Sequence, residues 1–122
     1  MTQHDHTIRL RHMLDHAREA VEMILGRNRP DLDHDRMLQL SLMRLVEIVG
    51  EAASRISRED QARYPSIPWP QVVGMRHRIV HGYDTVDLQV LWDTITDDLP
   101  PLIEQLRIAL GIADGEGQKD EG

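Results

Sequence analysis

The chain has 122 residues, a formal net charge of -7 and no cysteine. Its length suits a single domain and should let it bury about two-thirds of the surface exposed when unfolded. The missing thiols exclude disulfides, thiolate catalysis and Cys-ligated zinc, and the acidic balance argues against broad DNA coating, which needs a positive face.

No apolar run approaches the roughly 20 residues of a membrane span. The start, MTQHDHTIRLRHM, lacks the apolar core of a signal peptide. The expectation is a cytoplasmic protein without a membrane partner. Aromatics are few, with two Trp, two Tyr and no Phe. The core must come from Leu, Ile, Val, Met and Ala, which suits helices packed on helices.

Residues 7–26 read as the first helix, because Leu10, Leu14, Ala17, Val21 and Ile24 recur at helical spacing. Gly26 is the expected stop, and RNRPDLD the expected polar connection. Residues 35–57 read as the second helix, with Leu38, Leu42, Leu45, Val49, Ala52 and Ile56 on one stripe and Asp33 or Asp35 as cap. One short helical turn fits 58–64.

IPWPQVVGMRHRIVHGY predicts a third long helical element, with Pro68 or Pro70 in its first turn. Gly82 fits the left-handed position just past a helix end. That places His81 in the last turn and Tyr83 just beyond. Asp87 caps a final helix running from Val90 to Leu110, kinked in its middle by Pro100 and Pro101. Residues 113–122, ADGEGQKDEG, read as a disordered acidic tail behind a domain of residues 1–112. No strand pattern is visible. The predicted fold is an all-α antiparallel bundle of four main helices plus a short turn.

Chemistry concentrates in MRHRIVHGY. Arg76, His77, Arg78, His81 and Tyr83 fall within eight positions, and no acid occurs from Gln61 to Tyr83. A lone histidine near a helix end commonly serves the helix dipole. Two arginines beside it instead describe a site for anions, since arginine forks onto phosphate and histidine titrates near neutrality. Those groups suffice to cut RNA without a metal. A base takes the ribose 2′-OH proton, the oxygen attacks phosphorus, and a cation stabilises the added charge.

On an ideal helix, residues five apart point about 140° from one another. Arg76 and His81 therefore reach one phosphate if the helix ends before His81, if Arg76 curls round, or if a second subunit supplies the missing half. Val72, Val73 and the small Gly74 would permit close packing against such a partner. His77 and His81 also form an HxxxH pair, but the flanking arginines repel cations and only Asp84 is near as a third ligand. No metal or other cofactor is expected.

Arg76, four residues, His81, one residue and Tyr83 make an R-x4-H-x-Y pattern that resembles the HepT-like branch of the HEPN superfamily. VEIVGEAASRIS at 46–57, SIPWPQVVGMRHRIVHGY at 66–83 and LWDTITDDLPPLIEQL at 91–106 are similar to that family in the same order. The resemblance spans about residues 7–110. One departure is His77, where the family often has asparagine or another small polar residue.

The resemblance implies a helical HEPN-like homodimer acting as the toxin of a HepT/MNT-type toxin–antitoxin pair. Such a toxin is a metal-independent endoribonuclease that cuts cellular RNA. Its partner, an MNT-type nucleotidyltransferase antitoxin, binds it and AMPylates the motif tyrosine. By that resemblance Arg76 and His81 are catalytic and Tyr83 is the modification site. Arg78 and His77 are read as RNA-phosphate positioning groups. The alternative is a noncatalytic HEPN module that binds a nucleotide or the nucleotidyltransferase partner and cuts nothing.

Overall fold

The computed structural model describes residues 3–82 and 85–112, with side chains from residue 6 onward. The tail at 113–122, Tyr83 and Asp84 lie outside the described residues. The chain is helical, as expected. Two long helices, α1 (Gln3–Met23) and α3 (Arg36–Ser54), pack against each other, and α8 (Leu99–Leu110) covers α1. Leu10, Leu14, Ala17, Leu38, Leu42, Leu45, Val49 and Ala52 are all buried. Their helical spacing gives each helix one apolar stripe, and the stripes meet in a single core.

Helix α1 begins before residue 7 and ends before Gly26, which takes a left-handed φ of 77°. The polar connection predicted after it holds a helix, α2 (Arg29–His34). Pro30 tolerates its first turn, the Asp31 carboxylate accepts from the Asn28 N–H at 2.8 Å, and Leu32 buries completely. A single apolar residue pins this helix, so no periodicity revealed it. Asp35 caps α3, accepting from the Leu38 N–H at 3.0 Å. Ser57 ends the connection by capping α4 (Arg58–Gln61), its Oγ 3.1 Å from the Asp60 nitrogen.

The third element is not one helix. It divides at Gly74 into α5 (Trp69–Val73) and α6 (Met75–Ile79). A Cβ on Gly74 would sit 3.1 Å from the Pro70 carbonyl oxygen, so glycine allows the tight junction. Val80 and His81 then leave the helix as strand β1, which pairs antiparallel with β2 (Thr85–Val86) in register His81 to Thr85. Two expectations are thereby corrected: a strand pair exists, and His81 lies on it and not in a last helical turn. Two residues per strand are too few for alternation to register in sequence. Gly82 follows with φ 63°, the left-handed conformation expected of it.

Asp87 caps α7 (Leu88–Asp93) through the Val90 N–H at 3.0 Å. A π-helical turn (Thr94–Asp98) joins α7 to α8. Pro100 and Pro101 therefore occupy the first turn of α8 and not the middle of one kinked helix. Neither can donate a backbone N–H, and the turn before them widens so that the Leu99 N–H reaches Thr94. Thr94 and Thr96 also donate their hydroxyls back to Val90 and Trp92 carbonyls at 2.8 and 3.0 Å, a habit that bends helices.

A candidate phosphate-binding rim on helix α6

Met75 and Ile79 anchor α6, with 2% and 0% exposure. Being four apart, they turn one face into the core. The three residues between them, Arg76, His77 and Arg78, are forced outward and are all exposed. The Val80 N–H still bonds the Arg76 carbonyl, after which the backbone extends. The helix thus ends before His81, the first of the three routes by which Arg76 and His81 could serve one phosphate. His81 is exposed on β1, held by the ladder to Thr85 and by the Asp87 N–H to Ile79 carbonyl bond of 2.7 Å beneath it.

The rim divides about α6. Arg76 and His77 line a groove of about 220 Å³ shared with Glu47, Gly50, Glu51 and Val73. Arg78 faces the other way, into a cleft of about 160 Å³ beside Gln71, Asp98 and Gln105. His81 stands on the hairpin and lines neither of these two. His77 and His81 do not share a helix, so the HxxxH geometry for a metal pair does not apply.

The acid-free character of 61–83 holds along the chain but not in space. Arg76 Nε donates to Glu47 Oε2 at 2.9 Å, and Arg78 Nη2 lies 3.7 Å from Asp98 Oδ2. The absence of an opposing carboxylate is therefore corrected: α3 and the π turn supply two. Sequence reasoning missed Glu47 because it lies 29 residues from Arg76 and reaches it only when α5 and α6 cross α3. Gly50, one turn on from Glu47, lets them cross closely. A Cβ there would touch the Val72 and Val73 carbonyl oxygens at 3.4 and 3.6 Å.

The Arg76–Glu47 pair is half open to water, with side-chain exposures of 50% and 29%. Such a pair adds only about 0–1 kcal/mol to stability. Its consequence is orientation. With Nε–H directed at Glu47, the terminal Nη groups of Arg76 remain for an anion.

A helical domain thus carries an arginine- and histidine-bearing rim beside two open grooves, with groups of the kind that can bind phosphate. Comparison with known proteins makes the class specific. Residues 13–109 match the family described as ribonuclease HepT-like, and the chain belongs to that family. A probable ribonuclease HepT of Thermococcus cleftensis is 36% identical over 101 residues, covering 77% of this chain and 92% of the relative. A candidate RNase of Caldanaerobacter subterraneus is 30% identical over 98 residues, covering 80% and 88%. Another, from Methanocaldococcus jannaschii, is 26% identical over 108 residues, covering 88% and 99%. No solved structure matches the chain significantly. Among the described residues, no helix is long and apolar enough to cross a membrane.

Proposed function

We propose that the protein is a metal-independent endoribonuclease, the toxin of a toxin–antitoxin pair, with Arg76 and His81 as its catalytic residues. The carrying observation is that buried Met75 and Ile79 hold Arg76, His77 and Arg78 at the surface while the helix unwinds into exposed His81. Ribonuclease names among its relatives support the same reading.

In this reading the Nη groups of Arg76 take the scissile phosphate. His81 moves protons, either from the 2′-OH or to the departing 5′-oxygen. The 2′-oxygen forms a bond to phosphorus, the bond from phosphorus to the 5′-oxygen breaks, and that oxygen leaves with a proton. Arg78 and His77 guide neighbouring phosphates. A second copy of the chain, forming a homodimer, brings a second motif to the substrate. The protein acts in the cytoplasm.

An MNT-type nucleotidyltransferase antitoxin restrains it by binding and by AMPylation. The Tyr83 phenol oxygen bonds to the α-phosphorus of ATP, and pyrophosphate leaves. The added phosphate would stand two residues from His81 in sequence, repel RNA and occupy the cations. Equal cutting by AMP-carrying and unmodified protein would sink this part of the reading.

The test is RNA cleavage in EDTA by protein shown by mass spectrometry to carry no nucleotide. Wild type should cut, and His81→Ala should lose about 10²-fold or more, the usual worth of a general acid or base. A second reading, a noncatalytic module that binds a nucleotide or the nucleotidyltransferase, has one observation in its favour. Both arginines of the rim already face carboxylates. Absence of cleavage by folded wild type, with retained partner binding, would favour it.

A further inference from the structure

Glu47 is the one acid in direct contact with a rim arginine at hydrogen-bond distance among the described residues. Its two oxygens are divided between two cations. Oε2 accepts from Arg76 Nε at 2.9 Å, and Oε1 accepts from Arg44 Nη1 at 3.2 Å. Arg44 in turn lies 3.6 Å from Glu51. The sequence of charges Glu51, Arg44, Glu47, Arg76 runs along the outer face of α3 and ends at the rim.

We propose that Glu47 is a positioning residue for RNA cleavage, fixing the Arg76 guanidinium so that its Nη1/Nη2 edge faces the scissile phosphate. The inference rests on the ribonuclease reading above. Three arguments support it. With its Nε–H donated to Glu47, the guanidinium keeps its two Nη groups as a fork for phosphate. Arg76 is half exposed, so without Glu47 its long side chain would sample many rotamers and be ordered only at each encounter. The carboxylate has a second contact, because Arg44 Nη1 donates to its other oxygen from one turn earlier in α3.

A bland alternative is a surface ion pair with no consequence. Another is a competitor that keeps Arg76 from RNA. The three differ in what removal of Glu47 does. Loss of a positioning group lowers kcat, and a misplacement of about 1 Å can cost about 10²-fold. It does not raise KM, because a negative charge has been taken from the phosphate path. A competitor's loss raises cleavage. An idle pair's loss changes nothing.

The experiment measures kcat and KM on single-stranded RNA in EDTA for full-length wild type, Glu47→Ala, Glu47→Gln and Arg76→Ala. Melting temperature is read for each. Anisotropy with a 2′-O-methyl RNA, which cannot supply the attacking hydroxyl, gives binding separately. We expect Glu47→Ala to lose tenfold or more in kcat, with KM and RNA affinity unchanged or improved and an unchanged melting temperature. Glu47→Gln, which keeps an acceptor for Nε–H, should recover most of the loss. Wild-type or raised kcat in Glu47→Ala overturns the inference, and if Arg76→Ala is still inactive the ribonuclease reading survives. A kcat loss accompanied by an equal fall in melting and in RNA affinity also overturns it, since that marks a structural role. No cleavage by wild type overturns both.

Discussion

At the scale of single residues, charge decides what the rim can do, and charge is where sequence and space part. The chain from Gln61 to Tyr83 contains no acid, yet Glu47 and Asp98 reach Arg76 and Arg78. The arginines, histidines and their spacing were legible in the sequence. Their partners were not, because a carboxylate 29 residues away is chosen by a helix crossing and not by any local pattern. Arg76→Lys should therefore behave as a severe variant. A lysine ammonium is a point charge that cannot face Glu47 with one edge and a phosphate with another. We expect its cleavage rate to fall close to that of Arg76→Ala, and single-turnover kinetics on a short RNA would show it. A second residue-level prediction concerns Asp35. The Leu38 N–H it accepts at the start of α3 lowers its carboxyl below the usual range; burial opposes this, and Arg27 adds to the lowering. A depressed folded pKa means stability that is present above the unfolded value and lost as pH falls through the folded one. Asp35→Asn should thus melt below wild type at neutral pH, and the gap should close below about pH 4. Melting temperatures between pH 7 and 2 check this, and a gap that widens on acidification would contradict it.

At the scale of elements, long stripes were readable and short devices were not. α1 and α3 bury whole rows of aliphatics, so their 3.6 period stands out. α2 rests on Leu32 alone, the hairpin has two residues per strand, and the helix break at Gly74 follows from contacts of one backbone turn. Pro100 and Pro101 announced an interruption. The sequence did not say that a π turn would absorb it on their N-terminal side. Gly50 offers a test of how elements set the rim. Alanine there meets the Val72 carbonyl at ordinary contact, whereas leucine would drive α5 from α3 and part Arg76 from Glu47. Gly50→Ala should cut RNA near the wild-type rate. Gly50→Leu should lose cleavage while its circular dichroism remains helical. Gly82 offers another. At φ 63° it holds a conformation that costs other residues about 1–2 kcal/mol. Gly82→Val should destabilise more than Gly82→Asn in denaturant unfolding, and it should disturb the strand bearing His81.

At the scale of the whole molecule, one aliphatic core carries the fold, and a polar cluster ties the start of α1 to the segment between α4 and α5. Leu14, fully buried on α1, faces that core, and Leu14→Ala should cost about 2–5 kcal/mol in urea unfolding. Near the chain start, His6 is 4% exposed, with Nε2 2.9 Å from the Tyr64 hydroxyl and Nδ1 3.7 Å from Asp60. Trp69 Nε1 donates to the carbonyls of Gln61 and Tyr64 at 3.0 and 3.1 Å, so the same loop seats the start of α5. Tyr64→Phe leaves a buried ring nitrogen without its partner and should cost about 1–3 kcal/mol. The fold class was legible because aliphatic stripes without aromatic bulk permit little else. Family membership was legible because three blocks of text share one order. The division of the rim into two grooves was not, since it depends on α6 standing between α3 and α8.

The account turns on whether this rim cuts RNA through its own 2′-hydroxyl. The most direct measurement is the chemistry of the fragment ends, by mass spectrometry, after unmodified wild-type protein meets a defined RNA in EDTA beside Arg76→Ala and His81→Ala. Attack by the 2′-oxygen predicts 2′,3′-cyclic phosphate on one fragment and a 5′-hydroxyl on the other, formed by wild type and by neither variant. Fragments ending in 5′-phosphate, or cleavage undiminished in both variants, would contradict it.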